Sequence, residues 1–196
     1  MTGNTPRKLV LFASGSGSNV ERIAAHFSGN PQVSIAGVLC NNTHAGVIER
    51  CHRLAIPLYC FNRHAFRQED GLMALLSGLS PDLIILAGFL WKIPEALIAA
   101  YPDRIINIHP ALLPKYGGKG MYGMHVHEAV AAAGESETGI TIHYVNEAYD
   151  EGNIIFQARV PVLQTDSPQE IAAKVHHLEY AHYPRIIENL LALNHG

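Results

Sequence analysis

Five strand-length apolar runs, "KLVLFAS", "VSIAGVLCN", "IPLYCF", "DLIILAGF" and "RIINIH", follow one another with a helix-patterned stretch between each pair. Runs without polar alternation belong in a sheet covered on both faces, and single intervening helices make neighbouring strands parallel. In the stretch "SNVERIAAHF", Val20, Ile23, Ala24 and Phe27 fall at i, i+3, i+4 and i+7, and Ser18 with Glu21 has capping-box spacing. "HAGVIERCHRL", residues 68–79 and "PEALIAAY" supply the other helices, the last opening on a proline.

After the fifth run the rhythm changes. A glycine-rich loop (Gly117–Gly123) leads into a helix over about His125–Ala133, then "TGITIHYV" and "NIIFQARVPV", separated by "NEAYDEG", predict an antiparallel hairpin with a long loop. The chain closes on "SPQEIAAKVHHLEYAHYPRIIENLLAL", in which Ser167, Pro168 and Glu170 stand as N-cap, first turn and capping-box partner. Pro184 predicts a kink or a split in that helix. The expectation is an α/β fold: a Rossmann-like, mostly parallel sheet of about seven strands, an antiparallel C-terminal hairpin and helices on both faces. Its 196 residues are enough for one full core, so one domain over 1–196 is expected, with 1–6 as a flexible tail.

Composition narrows the function classes. The net charge of −3 and the lack of a Lys/Arg stripe give no nucleic-acid footprint. Cys40, Cys51 and Cys60 lack metal-ligand spacing and read as thiols of a reducing compartment. The first apolar run is too short for a signal core or a membrane span, so a soluble, cytoplasmic protein is the expectation.

In open α/β sheets ligands collect at the carboxyl ends of parallel strands. Three segments meet there on this reading: "ASGSGSN", "GFLWKIP" and "NIHPALLPKY". The first begins like a dinucleotide fingerprint, but Val20 holds the third glycine position and no P-loop lysine follows. It is either a plain strand-to-helix turn or a monophosphate cradle of glycine backbone, Ser16, Ser18 and Asn19 at a helix N-terminus. In the third segment Asn107 and His109 lie two apart on a strand and project to one face, and Pro110 then stops the ladder. An amide there is suited to an oxyanion and an imidazole to moving a proton; the alternative is a loop cap beside a satisfied core histidine. Asp150, on the hairpin loop, would raise the His109 pKa if the two met. His125-x-His127 has no third ligand partner, and no metal site is expected.

"FASGSGSN", "LAGF", "INIHPALLPKY", "TGITIHYV" and "YDEGNIIFQARVPV" resemble, in order and spacing, the phosphoribosylglycinamide formyltransferase family, from Leu9 to about Leu190. The resemblance implies transfer of the formyl group of 10-formyltetrahydrofolate, a co-substrate, to the amine of 5-phosphoribosylglycinamide (GAR) in purine synthesis. It implies Asn107 and His109 as catalytic groups and Asp150 as the carboxylate that tunes the histidine. Gly17, Ser18 and Asn19 match the phosphate-binding segment, and His176 and Glu179 match ribonucleotide contacts. Leu90, Trp91, Lys92 and Ile93, with Asn146, Glu147, Ala148, Tyr149 and Asp150, match folate-holding segments that act largely through backbone; Asn107 also faces the folate. Partners would be these small molecules, with no nucleic acid and no membrane, in a monomer or homodimer. The chain departs from the usual pattern with "LWKI" for "MRIL", His176 for Gln, and "YGGKGMYGMHVH" for "YPGLHTH". Lys119, Met121 and Tyr122 therefore lack counterparts, and their loop is a lid or an interface. The rivals are another formyl-folate enzyme (a formyltetrahydrofolate hydrolase or an amino-sugar formyltransferase) and a non-catalytic nucleotide-binding module.

Overall fold

Every residue of "LVLFA" is buried, and the run divides between two cores as a central strand must. In the computed structural model, which describes residues 5–193, this run is β1 (Arg7–Ala13). Residues 1–4, most of the expected tail, lie outside the described residues. Leu9, Leu11 and Ala13 face one core, whereas Val10 and Phe12 face the other.

β2 (Val33–Cys40), β3 (Leu58–Cys60), β4 (Leu83–Leu86) and β5 (Ile105–His109) join β1 in parallel. β6 (Glu137–Tyr144) and β7 (Ile154–Pro161) add antiparallel to β5, giving the order β3-β2-β1-β4-β5-β6-β7. The expected mixed sheet is therefore present. α1 (Ser18–His26), α2 (Val47–Arg53) and α7 (Pro168–Leu193) bury their apolar stripes on one face. α3 (Arg63–Arg67), α4 (Ala74–Leu79) and α5 (Glu95–Ala100) cover the other. α6 (Met124–Ala132) packs on α7 through Val130 and Ile171.

Three local expectations change. Ser18 and Glu21 form no capping box: Gly17, at φ 77°, is the N-cap without a side-chain cap bond. Glu21 instead pairs with Arg50 and Arg53 on α2, because two guanidinium groups outcompete one backbone N–H for a carboxylate. The helix expected over 68–79 is present as a π-helical turn (Glu69–Met73) running into α4. A separate short helix, α3, precedes it, capped by the Asn62 side chain accepting from Ala65 N at 2.9 Å and divided from it by an extended Gln68. Finally, α7 continues unbroken past Pro184. Beside that proline, the fully buried Tyr183 donates its hydroxyl to Leu86 O at 3.1 Å, tying the helix beneath β4. The capping box at the start of α7 does form, with Ser167 N and Oγ donating to Glu170 Oε2 at 2.8 and 2.7 Å.

The strand order reverses between β1 and β4, which opens a crevice at their carboxyl ends. Ser14 N donates to Gly88 O at 3.0 Å and Leu90 N donates to Ser14 Oγ at 3.0 Å. These bonds fix the loops after β1 and β4 against each other.

Candidate active site

The β5–β6 ladder sets the centre of the site. Asn107 lies opposite His143 and His109 opposite Thr141, while Ile106 and Ile108 turn into the core beneath α1 and α7. Thr141 Oγ1 donates to Ala111 O at 2.7 Å and accepts from Leu113 N at 3.0 Å, which pins the turn after His109. His143 Nδ1 donates to Tyr144 O at 2.8 Å, since a carbonyl can only accept. Its Nε2 then faces the Asn107 amide at 3.2 Å, leaving Asn107 a second N–H for a ligand.

Asp150 meets both histidines. It sits on the β6–β7 turn at φ 56°, a left-handed conformation that aspartate tolerates better than most residues. Its Oδ2 accepts from Gly118 N at 2.9 Å and lies 3.6 Å from His109 Nδ1; its Oδ1 lies 3.6 Å from His143 Nε2. Gly152 follows because a Cβ there would stand 1.7 Å from Tyr144 O. Burial opposes the Asp150 charge, but His143, His109 and the Gly118 amide outweigh it and hold its carboxyl below the ordinary value.

His109 corrects an expectation. Burial pushes its pKa down and prevails over the upward pull of Asp150 and the Tyr116 carbonyl, so the ring titrates below its ordinary value. Its Nε2 donates to Tyr116 O at 2.7 Å, so the resting neutral ring presents a bare Nδ1 towards Asp150. The 3.6 Å separation is too long for a direct hydrogen bond. The neutral ring is thus a base whose conjugate acid forms beside a carboxylate.

Gly17, Ser18 and Asn19 border the same cavity of about 510 Å³. Gly17 is required there, since a Cβ would lie 2.5 Å from the Val47 side chain. Asn19 Nδ2 donates to Glu179 Oε2 at 3.0 Å, and burial pushes the Glu179 carboxyl up. Asn19 Oδ1 and His127 Nδ1 are both buried without a hydrogen-bond partner among the described residues. The His127 ring stands 6.4 Å from that of His176. Burial and the neighbouring His176 and His109 push His127 down to about 4. A buried orphan acceptor beside a helix N-terminus suits a bound group that brings its own donors or a proton.

Leu90, Trp91, Lys92, Ile93, Asn146, Ala148 and Tyr149 line a wall of the same cavity. Glu147 does not line the cavity: Asn146 Oδ1 accepts from Ala148 N at 3.1 Å, and Glu147 stands exposed on the turn so formed. Trp91 packs edge-on to Phe61, Phe66 and Phe89, with Arg63 4.7 Å above its ring. The wall is apolar with one cation, Lys92, 5.9 Å from the Tyr149 ring centre, a shape suited to a flat aryl group. Lys119, Met121 and Tyr122 also border the cavity, as a lid would. His125 is exposed and pairs with Glu128 at 3.5 Å, whereas His127 is buried. Among the described residues no cluster of His, Cys, Asp or Glu could hold a metal ion.

Residues 7–187 match the family described as "Formyl transferase". The chain belongs to the formyl transferase family. It is 37% identical over 195 residues to the phosphoribosylglycinamide formyltransferase of Bacillus subtilis, covering 96% of each chain. It is 40% identical over 187 residues to the chloroplastic phosphoribosylglycinamide formyltransferase of Arabidopsis thaliana, covering 92% of this chain and 64% of that protein. The chain spans 64% and 61% of the length of two such plant relatives. The solved glycinamide ribonucleotide transformylase 1 of Geobacillus kaustophilus superposes with a TM-score of 0.85 at 34% identity, over 95% of this chain and 99% of that one. The residues that sequence reasoning missed are His143 and the Tyr116 carbonyl. Alternation along "TGITIHYV" puts His143 on the Thr141 face, but its register against Asn107 appears only in the paired sheet.

Proposed function

We propose that this chain transfers the formyl group of 10-formyltetrahydrofolate to the amine of 5-phosphoribosylglycinamide, giving formyl-GAR and tetrahydrofolate in purine synthesis. The reading rests above all on the convergence of Asn107, His109 and Asp150, drawn from two distant segments, at the floor of one cavity. An anion-suited loop and an aryl-suited wall border that same cavity. The relatives named for this reaction support it independently.

The donor supplies an activated formyl carbon when bound; the aryl-suited wall of Leu90, Trp91, Ile93 and Tyr149 would hold its ring system. Gly17, Ser18 and Asn19 hold the phosphate of the amine substrate, and Glu179 and His176 contact its ribose end. Asn107 directs its free N–H at the formyl oxygen as negative charge develops there. His109 accepts at Nδ1 the proton released by the attacking amine, and Asp150 stabilises the imidazolium so formed. His109 then returns that proton to the departing folate nitrogen, so the ring ends as it began. His143 holds the Asn107 amide in place.

Three free thiols, two of them buried, fit a cytoplasmic setting. Among the described residues no helix is long and apolar enough to cross a membrane. We infer small molecules as the only partners the reaction needs, whether the chain acts as monomer or homodimer.

The purified chain incubated with 10-formyltetrahydrofolate should release tetrahydrofolate only when GAR is added. Release without GAR would make the protein a hydrolase, and no release in either case would make it a binding module.

A further inference from the structure

We propose that Lys119, carried on the glycine-rich loop before α6, is a ligand for the phosphate of the amine substrate and sets the preference for a phosphorylated amine. This rests on the reading above.

Among the described residues, the carboxylates bordering the cavity are Asp150 and Glu179, and its permanent cations are Lys92 and Lys119. A phosphate monoester brings close to two negative charges, and the loop Gly15–Asn19 meets it with neutral donors only. The cations on the flanking helices already have partners: Arg50 pairs with Glu21 and donates to Ser16 O of the loop itself, Arg53 pairs with Glu21, Lys174 with Asp166, and Arg22 lies 4.9 Å over the Tyr180 ring. Lys92 lies 5.9 Å from the Tyr149 ring centre. Lys119 has no hydrogen-bond or ion-pair partner among the described residues, although it borders a cavity.

The backbone around Lys119 ties it to the site's rim. Gly118 and Gly120, both at φ 93°, flank Lys119. The loop is tied at its start through Gly118 N to Asp150 and at its end to α6. α6 carries His127 against His176, three residues before Glu179, which in turn holds Asn19 of the phosphate loop. Lys119 thus sits on the segment that joins the Gly118–Asp150 contact to α6, and it borders the same cavity as the Gly15–Asn19 loop. A four-carbon stem on a glycine-flanked position can deliver an ammonium group to an anion bound at that loop.

The test compares wild type with Lys119→Ala, Lys119→Gln and Lys119→Arg. Loss of a charged contact to phosphate should raise the GAR KM about 10- to 100-fold. The folate KM and the saturated kcat should stay within about twofold, and Lys119→Arg should restore most of the loss. By calorimetry, wild type should favour GAR over its unphosphorylated riboside, and Lys119→Ala should lose most of that preference. A rise in the folate KM alone would assign Lys119 to the folate carboxylates and overturn the proposal. Equal rises for both substrates, or none, would also overturn it. If wild type transferred no formyl group, the proposed reaction would fail while the calorimetric comparison still judged Lys119.

Discussion

Asp150→Asn removes one charge and almost no volume, and the new side-chain oxygen can still accept the Gly118 N–H, which lies 2.9 Å away in the parent. What is lost is the attraction between a carboxylate and a ring nitrogen 3.6 Å apart. At that distance the Coulomb energy is about 1 kcal/mol in a water-like dielectric and about 5 kcal/mol at an effective dielectric near 20. If the imidazolium is fully formed in the transition state, transfer should slow between about 10-fold and 10³-fold; partial burial of Asp150 favours the upper half. The assay is kcat for tetrahydrofolate release at saturating GAR and donor, with circular dichroism to verify folding. A pH profile separates mechanism from damage. His109 acts as a neutral base, so kcat/KM should rise with pH through its depressed pKa. Removing the neighbouring negative charge disfavours the imidazolium further, so this acid limb should move to lower pH in Asp150→Asn. A loss below about threefold, or a limb that stays put or moves to higher pH, would refute the reasoning.

Two further outcomes test other parts of the site. Asn19→Ala should raise the KM for GAR more than that for the folate, because Asn19 sits at the phosphate loop and holds Glu179; equal effects would reduce the loop to a turn. His127, pushed from 6.5 down to about 4, refuses a proton that the unfolded chain accepts between those values. Stability should therefore fall as pH drops through that window, by at most about 3 kcal/mol from this group. Urea unfolding of His127→Gln should show a shallower acid loss than wild type, and parallel losses would deny His127 that role.

Much of this architecture could be read from hydrophobic pattern alone. Runs such as "LVLFA" and "LIILA" demand burial on both faces, and the change of rhythm after His109 marks the switch to antiparallel pairing. Asn107 and His109 were legible as a pair because strand periodicity is strict. The pairing of Asn107 with His143 was not, since register is set by packing and turns over long separations. Nor was the balance at His109 legible: a nearby carboxylate suggests a raised pKa, but the depth of burial that reverses it is a tertiary property. The Ser18–Glu21 spacing misled for a related reason, because Arg50 and Arg53 reach Glu21 only once α2 packs beside α1.

The most direct test of the central claim is single-turnover formyl transfer in Asn107→Ala, Asp150→Asn and the double variant, all saturated with both substrates. If the amide and the carboxylate act on one transition state, the double variant should lose much less than the product of the two single losses. Losses that simply multiply would mean the two groups act independently, and the shared centre described here would be wrong.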